Sequence, residues 1–436
     1  MNTKRKLKIV YLAMSADIIH PGHLNIIERA SKFGRIIVGV LSDKAIASYK
    51  RVPFMNLRDR KKIVLNFKNV SEVVTQNSLD YSKNLSKIKP DFVVHGDDWK
   101  KGVQKTTREK VVKLLNSWGG KLIEFPYFKG YSSTILNNKL KAQGITNDIR
   151  RSSLKRIISV KETAIFMEAH NGLSGAIVEN IKYKNKQFDG IWLSSLTDST
   201  AKAKPDIELV DLTSRLKTVN EILEVTTKPI IYDADTGGNI EHLKINLRTL
   251  ERHGISAIII EDKTGLKRNS LLGNDVEQTQ DSVDKFCDKI SQATSSKLTK
   301  EFMIIARIES LILDKGMEDA IFRAKRYLKA GADGIMIHIR KKDPSEIFNF
   351  CKKYQKIPYK KPLVVAPTSY NHVYEKELKS LGINIIIYAN HMLRSAYPAM
   401  HNTAYSILKN SRSKEVDENL LSLKENYEID SWNNIN

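Results

Sequence analysis

Eight short apolar runs follow one another through residues 163–388, and each leads into a segment of helical periodicity. They occupy residues 163–167, 190–193, 229–232, 257–260, 302–306, 334–337, 362–366 and 384–388. Unbroken apolar runs of this length read as strands buried on both faces, the pattern of a parallel sheet sheathed by helices. Eight strand–helix units over about 270 residues is the count and length of a closed (β/α)8 TIM barrel. Gly331 and Gly382 fall where helices hand over to strands, a position that favours glycine.

The runs end in polar residues: Glu168-Ala169-His170, Ser194-Ser195, Asp233-Ala234-Asp235, Glu261, Arg307-Ile308-Glu309, His338, Thr368 and Asn390-His391. Any strand leaves a core through polar residues, which accounts for one or two such ends. Four acidic ends with an arginine and a histidine on one rim point instead to a site, because these barrels keep their chemistry at the carboxyl ends of the strands. Asp233, Asp235 and Glu261 leave adjacent strands, and oxygen donors of this kind suit Mg²⁺. Asp206, after Lys204-Pro205, is by itself an ordinary loop acid. Arg307 is a natural fork for a phosphoryl or carboxylate group, and His338 adds a donor. Beyond Glu261 the loop carries Lys263, Gly265, Lys267, Asn269 and Ser270. Its two lysines read as mobile cations of a lid that closes over an anion.

The first third of the chain has a different rhythm. Apolar runs at residues 7–14, 36–41, 70–74, 91–95 and 121–125 alternate with helical patterns at 23–33, 57–67, 81–88 and 107–117. That alternation predicts an open parallel, Rossmann-like sheet. Residues 137–159 are polar and basic and read as a tail helix and linker. The division expected is 1–140, a linker at 141–158, and the barrel at 159–436. His20-Pro21-Gly22-His23 follows the first strand and opens a helix, so two imidazoles lie beside free backbone N–H groups.

A formal charge of +23 is concentrated in the front, where residues 1–150 hold about 29 Lys and Arg against about 12 Asp and Glu. Such a balance suits an anionic ligand, although lysine is abundant throughout. No nucleic-acid recognition motif of the usual kinds is visible. No run of about 18 apolar residues exists, and no signal peptide is evident, so no membrane partner is expected. Two cysteines, Cys287 and Cys351, provide neither a disulfide framework nor a zinc site. A cytoplasmic location is the expectation.

Six segments carry a resemblance. They are Glu168-Ala-His-Asn-Gly-Leu-Ser-Gly175, Gly190-Ile-Trp-Leu-Ser194, Asp233-Ala-Asp-Thr-Gly237, Glu261 to Ser270, Ala306-Arg-Ile-Glu309 and Tyr388-Ala-Asn-His391. Together they resemble the phosphoenolpyruvate mutase branch of the isocitrate lyase superfamily, over nearly all of residues 159–436. The resemblance implies conversion of phosphoenolpyruvate to phosphonopyruvate. It implies Asp233 as direct Mg²⁺ ligand, with Asp206, Asp235 and Glu261 acting through water. Trp192, Ser194, Ser195 and Ser270 would contact substrate. Lys267, Asn269, Arg307 and His338 would hold the phosphoryl group. It further implies a homo-oligomer that exchanges its last barrel helix, and a phosphonopyruvate decarboxylase downstream. Lyases of the superfamily place a cysteine in this loop, where the chain has none. A phosphonopyruvate hydrolase remains the alternative.

The front resembles small cytidylyltransferases of the glycerol-phosphate and choline-phosphate type, over about residues 7–136. His20-Pro-Gly-His23, Lys50-Arg51, Val94-His-Gly-Asp-Asp-Trp99 and Gly130-Tyr-Ser-Ser-Thr134 carry it. The resemblance implies His20 and His23 at the α-phosphate of CTP, and Lys50 on the phosphates. It places Asp97, Asp98 and Trp99 near base and ribose, and Ser132, Ser133 and Thr134 on the outer phosphates. The acceptor would be a phosphonate such as 2-hydroxyethyl- or 2-aminoethylphosphonate. A non-catalytic nucleotide-binding module is the alternative for this part.

Overall fold

The structure is a computed structural model that describes residues 7–49, 51–100, 104–126, 145–265, 267–270, 272 and 276–429. The chain divides into two compact units, Met1–Leu140 and Lys141–Asn436.

The first unit is a five-stranded parallel sheet. Its strands are β1 (Ile9–Met14), β2 (Arg35–Leu41), β3 (Val70–Gln76), β4 (Phe92–Gly96) and β5 (Lys121–Phe125), in spatial order β3-β2-β1-β4-β5. Alternate residues serve opposite faces, as the period of two demands. Val10, Leu12, Ile36, Val38 and Val40 pack with Ile27 and Ala30 on one side. Tyr11, Ile37 and Val93 pack with Leu85, Trp99, Val111 and Leu115 on the other. The chain order reverses between β1 and β4, and sheets of this kind bind ligands at the carboxyl ends of the strands at such a switch.

The second unit opens with the helix Asn147–Val160. Where a linker was expected to reach residue 158, this helix is part of the packed unit. Its Arg150 donates to the Thr226 carbonyl at 3.0 Å and Arg151 to the Glu251 carbonyl at 2.6 Å. Both carbonyls lie at helix carboxyl ends, so arginines that look solvated in sequence add hydrogen bonds to carbonyls of the last turn or cap.

Eight parallel strands follow: β6 (Ala164–Glu168), β7 (Gly190–Leu193), β8 (Ile230–Asp233), β9 (Ala257–Glu261), then, after a short antiparallel pair β10 (Lys263–Thr264) and β11 (Thr279–Gln280), β12 (Met303–Ile308), β13 (Gly334–Ile337), β14 (Leu363–Val365) and β15 (Ile385–Tyr388). The eight close into a barrel, β15 pairing with β6. All five residues of β9 are buried, as expected of a strand covered on both faces. A Cβ at Gly190 would lie 2.0 Å from the Phe166 ring, so only glycine lets β7 run this close to β6. The last barrel helix, His391–Asn410, has no buried residue and leaves Tyr397, Met400, Tyr405 and Leu408 exposed. No helix among the described residues is long and apolar enough to cross a membrane.

Candidate active site

Parallel strands deliver their carboxyl ends to one rim, so residues far apart in sequence meet there. A cavity at that rim is lined by Trp192, Ser194, Ser195, Asp206, Asp233, Glu261, Lys267, Asn269, Ser270, Arg307 and His338. Of the barrel residues to which the resemblance gives a role only Asp235 is missing from the lining, and it touches the Lys267 ammonium directly. Ser194 caps the helix Ser195–Ala201, which turns Ser195 toward Asp233. Ser195 Oγ donates to Asp233 Oδ2 at 2.9 Å, and its backbone N–H does so at 3.2 Å.

Lys267 is the hub. Its Nζ donates to Ser195 Oγ and Asp206 Oδ1, both at 2.6 Å, and to Asp235 Oδ1. Asn269 Nδ2 reaches Asp206 Oδ2 at 3.4 Å. On the neighbouring strand β12, Arg307 donates from Nε to Glu309 Oε1 and from Nη2 to Ser270 Oγ, each at 2.6 Å. Lys267 and Lys263, expected as mobile cations, are instead buried to 6 % and 3 % exposure. The reason is electrostatic: an ammonium leaves water only where carboxylates surround it, and here they do.

Burial alone would raise the Asp233 carboxyl, but Lys267, Arg307 and Arg215 more than offset it and hold it below the usual carboxylate range. Asp235 moves the other way, because burial and the charge of Asp233 outweigh Lys267. Burial pushes Glu261 up to about 7 against the pull of Arg307 and Lys263. His338 is pushed down to about 3 by burial and then by Arg307, so its ring is neutral. Asp235 occupies the left-handed region at φ 54°, which costs a non-glycine residue strain and turns its carboxyl back toward Lys267.

The residues also meet the test for a divalent cation. Glu261 Oε1 and His338 Nδ1 are buried without a hydrogen-bond partner, on residues that line the cavity beside Asp233 and Asp206. Among the described residues no three His, Cys, Asp or Glu groups close into a cage. A hydrated cation held directly by one carboxylate and otherwise through water fits this donor set, and Mg²⁺ favours that arrangement.

Sequence reasoning missed Arg215. It rises from the helix Leu212–Val225, donates to the Asp233 carbonyl at 2.5 Å, lies 3.4 Å from Asp235 Oδ2 and stacks 4.0 Å from the Tyr232 ring. Nothing in its local sequence distinguishes it from a solvated helix arginine; only its place under the carboxylates does.

In the first unit the tetrapeptide folds into a reciprocal cap. His20 is the N-cap of the helix Pro21–Ser31, its Nδ1 accepts from Gly22 N at 3.2 Å, and His23 Nδ1 accepts from His20 N at 3.3 Å. The rings lie 4.0 Å apart, and burial lowers the His20 pKa. Asp97 and Asp98 follow β4, which is β1's neighbour, so both groups flank the switch point. Trp99 does not fit its expected role. It is a core side chain, stacked 3.8 Å from His95, with its indole N–H donating to Glu124 Oε1 at 2.7 Å. A large aromatic is favourably buried when its N–H finds a partner, as this one does in Glu124. Lys50, Ser132, Ser133 and Thr134 lie outside the described residues.

A closed parallel barrel with buried carboxylates, a guanidinium and an enclosed ammonium at its carboxyl rim defines the class, a TIM barrel with a charged site at the strand ends. Residues 154–408 match the family model described as phosphoenolpyruvate phosphomutase, and residues 15–156 match the model described as cytidylyltransferase-like. The chain belongs to the phosphoenolpyruvate phosphomutase family. It is 34% identical to the phosphoenolpyruvate phosphomutase of Tetrahymena pyriformis over 296 residues, covering 68% of this chain and 95% of that one. It is 36% identical to the phosphonopyruvate hydrolase of Variovorax sp. (strain Pal2) over 265 residues, covering 60% and 88%. A crystal structure of phosphonopyruvate hydrolase in complex with oxalate and Mg²⁺ superposes with a TM-score of 0.58 at 32% identity, covering 67% of this chain and 97% of that one.

Proposed function

We propose that the barrel interconverts phosphoenolpyruvate and phosphonopyruvate, and that the first unit transfers CMP from CTP to a phosphonate. The observation that carries the mutase reading is the meeting of two cationic side chains, Lys267 and Arg307, with the Asn269 amide in one cavity. Phosphoryl transfer of this kind passes through a loose, metaphosphate-like state, so catalysis is chiefly a matter of holding three anionic oxygens. Arg307 presents a rigid fork. Neutral His338 donates or accepts without adding charge, and the Trp192 N–H awaits an acceptor. Mg²⁺, held by Asp233 and, through water, by Asp206, Asp235 and Glu261, would neutralise the substrate's carboxylate and enolate oxygens. Lys267, Ser195 and Asn269 enclose the phosphoryl group while the enolate carbon recaptures it. Water must be excluded in that interval.

The hydrolase relative favours a second reading, in which water takes the phosphoryl group. ³¹P NMR on phosphonopyruvate with Mg²⁺ separates the two: a phosphoenolpyruvate signal supports the mutase, and phosphate with pyruvate supports the hydrolase.

For the first unit, the paired imidazoles at a helix N-terminus supply donors where charge builds on an α-phosphate. Pyrophosphate release from CTP in the presence of 2-hydroxyethyl- or 2-aminoethylphosphonate tests this. Loss of release in His20→Ala and His23→Ala, with barrel turnover retained, is the expected result. CTP binding without release means a non-catalytic module. The two reactions are not consecutive, because phosphonopyruvate must first lose its carboxylate, so a decarboxylase would draw the mutase product forward. The uncovered helix His391–Asn410 suits exchange with a second copy, which sedimentation reports.

A further inference from the structure

Lys263 lies just beyond the end of β9 but does not line the cavity. Its ammonium has three donors, and all three are engaged. They go to the Arg268 carbonyl at 2.9 Å, Ser270 Oγ at 3.0 Å and Gln278 Oε1 at 2.9 Å. Glu261 Oε1 at 3.3 Å and Glu309 Oε2 at 3.6 Å hold the same ammonium by charge from the barrel end. Lys263 is absent from the cavity lining while Lys267 is part of it, so any role of Lys263 in the reaction is exerted through other residues.

Those residues are the ones that matter. Arg268 and Ser270 flank Asn269, and Lys267 immediately precedes them. Ser270 Oγ, which Lys263 grips, also accepts from Arg307 Nη2 at 2.6 Å and donates to Glu309 Oε2 at 2.5 Å. One buried cation therefore ties the segment Lys267–Ser270 to the far limb at Gln278, to the barrel carboxylates and, through one hydroxyl, to Arg307.

We propose that Lys263 is a positioning residue that clamps Lys267–Ser270 against the barrel and so decides whether the phosphoryl group is recaptured by carbon or lost to water. The inference rests on the mutase reading. In isomerisation the C–P bond of phosphonopyruvate breaks and the O–P bond of phosphoenolpyruvate forms, with nothing added. In hydrolysis a water oxygen bonds to phosphorus as the C–P pair returns to carbon. That carbon takes one proton to give pyruvate, and the remaining hydroxyl stays on phosphate. A clamp that keeps Lys267 and Asn269 closed on the phosphoryl group shuts out the second course, and a displacement of about 1 Å in such groups costs about 100-fold.

The test uses the full chain with Lys263→Met and Gln278→Ala. ³¹P NMR follows the ratio of phosphoenolpyruvate to phosphate, and limited trypsinolysis follows cleavage after Lys267 and Arg268. The expected result for Lys263→Met is isomerisation slower by about 100-fold, a higher share of phosphate, and faster tryptic cleavage. Gln278→Ala should shift all three in the same direction by less. Folded variants with the wild-type product ratio and cleavage rate would overturn the proposal. Should Lys263→Met not fold, Gln278→Ala decides alone. A wild-type enzyme that makes no phosphoenolpyruvate removes the mutase reading instead, and the cleavage rates still judge the clamp.

Discussion

Lys267 Nζ stands 2.6 Å from Asp206 Oδ1, although the lysine follows β9 and the aspartate follows β7, the two strands on either side of β8. The contact spans β8, whose end carries Asp233 and the nearby Asp235. Replacing Lys267 with Met leaves several buried carboxylates without their shared cation. Turnover of phosphonopyruvate should fall by about 10³-fold or more. Asp206→Asn combined with Lys267→Met should cost far less than the sum of the single changes, because both remove one interaction. Additive losses in initial rate would show that the pair does not act as a unit.

Arg307→Lys keeps the charge but loses the fork that engages Glu309 and Ser270 at once. A reduction in kcat/KM of about 100-fold is expected. A rate within a factor of a few of wild type would show that charge alone suffices at this position.

His338, pushed down to about 3 by burial and Arg307, stays neutral across the physiological range. The unfolded chain protonates this ring below about 6.5. The folded chain does not, so His338 costs stability progressively as pH falls from about 6.5 toward 3. The ring carbon resonances of His338 should not move between pH 5 and 8. A titration step inside that window would place a proton on the ring and change its role from neutral donor to cation.

Glu124 is held down to about 2, chiefly by its hydrogen bonds from Arg108, which outweigh burial, with a lesser contribution from Trp99. A depressed carboxyl stabilises the fold above its unfolded pKa of about 4.3. That contribution disappears as pH falls from there through about 2. Glu124→Gln should therefore flatten the acid dependence of the first unit's stability in that window, read by tryptophan fluorescence. An unchanged slope would mean that other carboxylates set it.

The strands of both units were legible because unbroken apolar runs at regular spacing have few other uses. Part of the barrel rim was legible for a related reason: Asp233, Glu261, Arg307 and His338 sit at or next to strand ends, while Asp206 lies in a loop and stood out only through the resemblance. Arg215 was not, since a helix arginine looks the same in sequence whether it meets water or a buried carboxylate. Trp99 was misplaced because the residue after a strand end can turn outward to a ligand or inward to the sheet. Arg150 and Arg151 read as linker because their partners, the carbonyls of Thr226 and Glu251, are about 75 to 100 residues away.

By itself the sequence determined the five strands of the first sheet and the eight of the barrel, the parallel order that such alternation enforces, and the polar residues at the barrel strand ends. These follow from local periodicity and from which side chains tolerate water. Only the tertiary structure decided that Lys267 sits among carboxylates rather than in solvent. It also decided that Lys263 spends all its donors on the chain, and that His20 and Asp97 flank one switch point. Each of those outcomes depends on long-range closure, where burial removes water and leaves a charged group no partner except the ones the fold delivers.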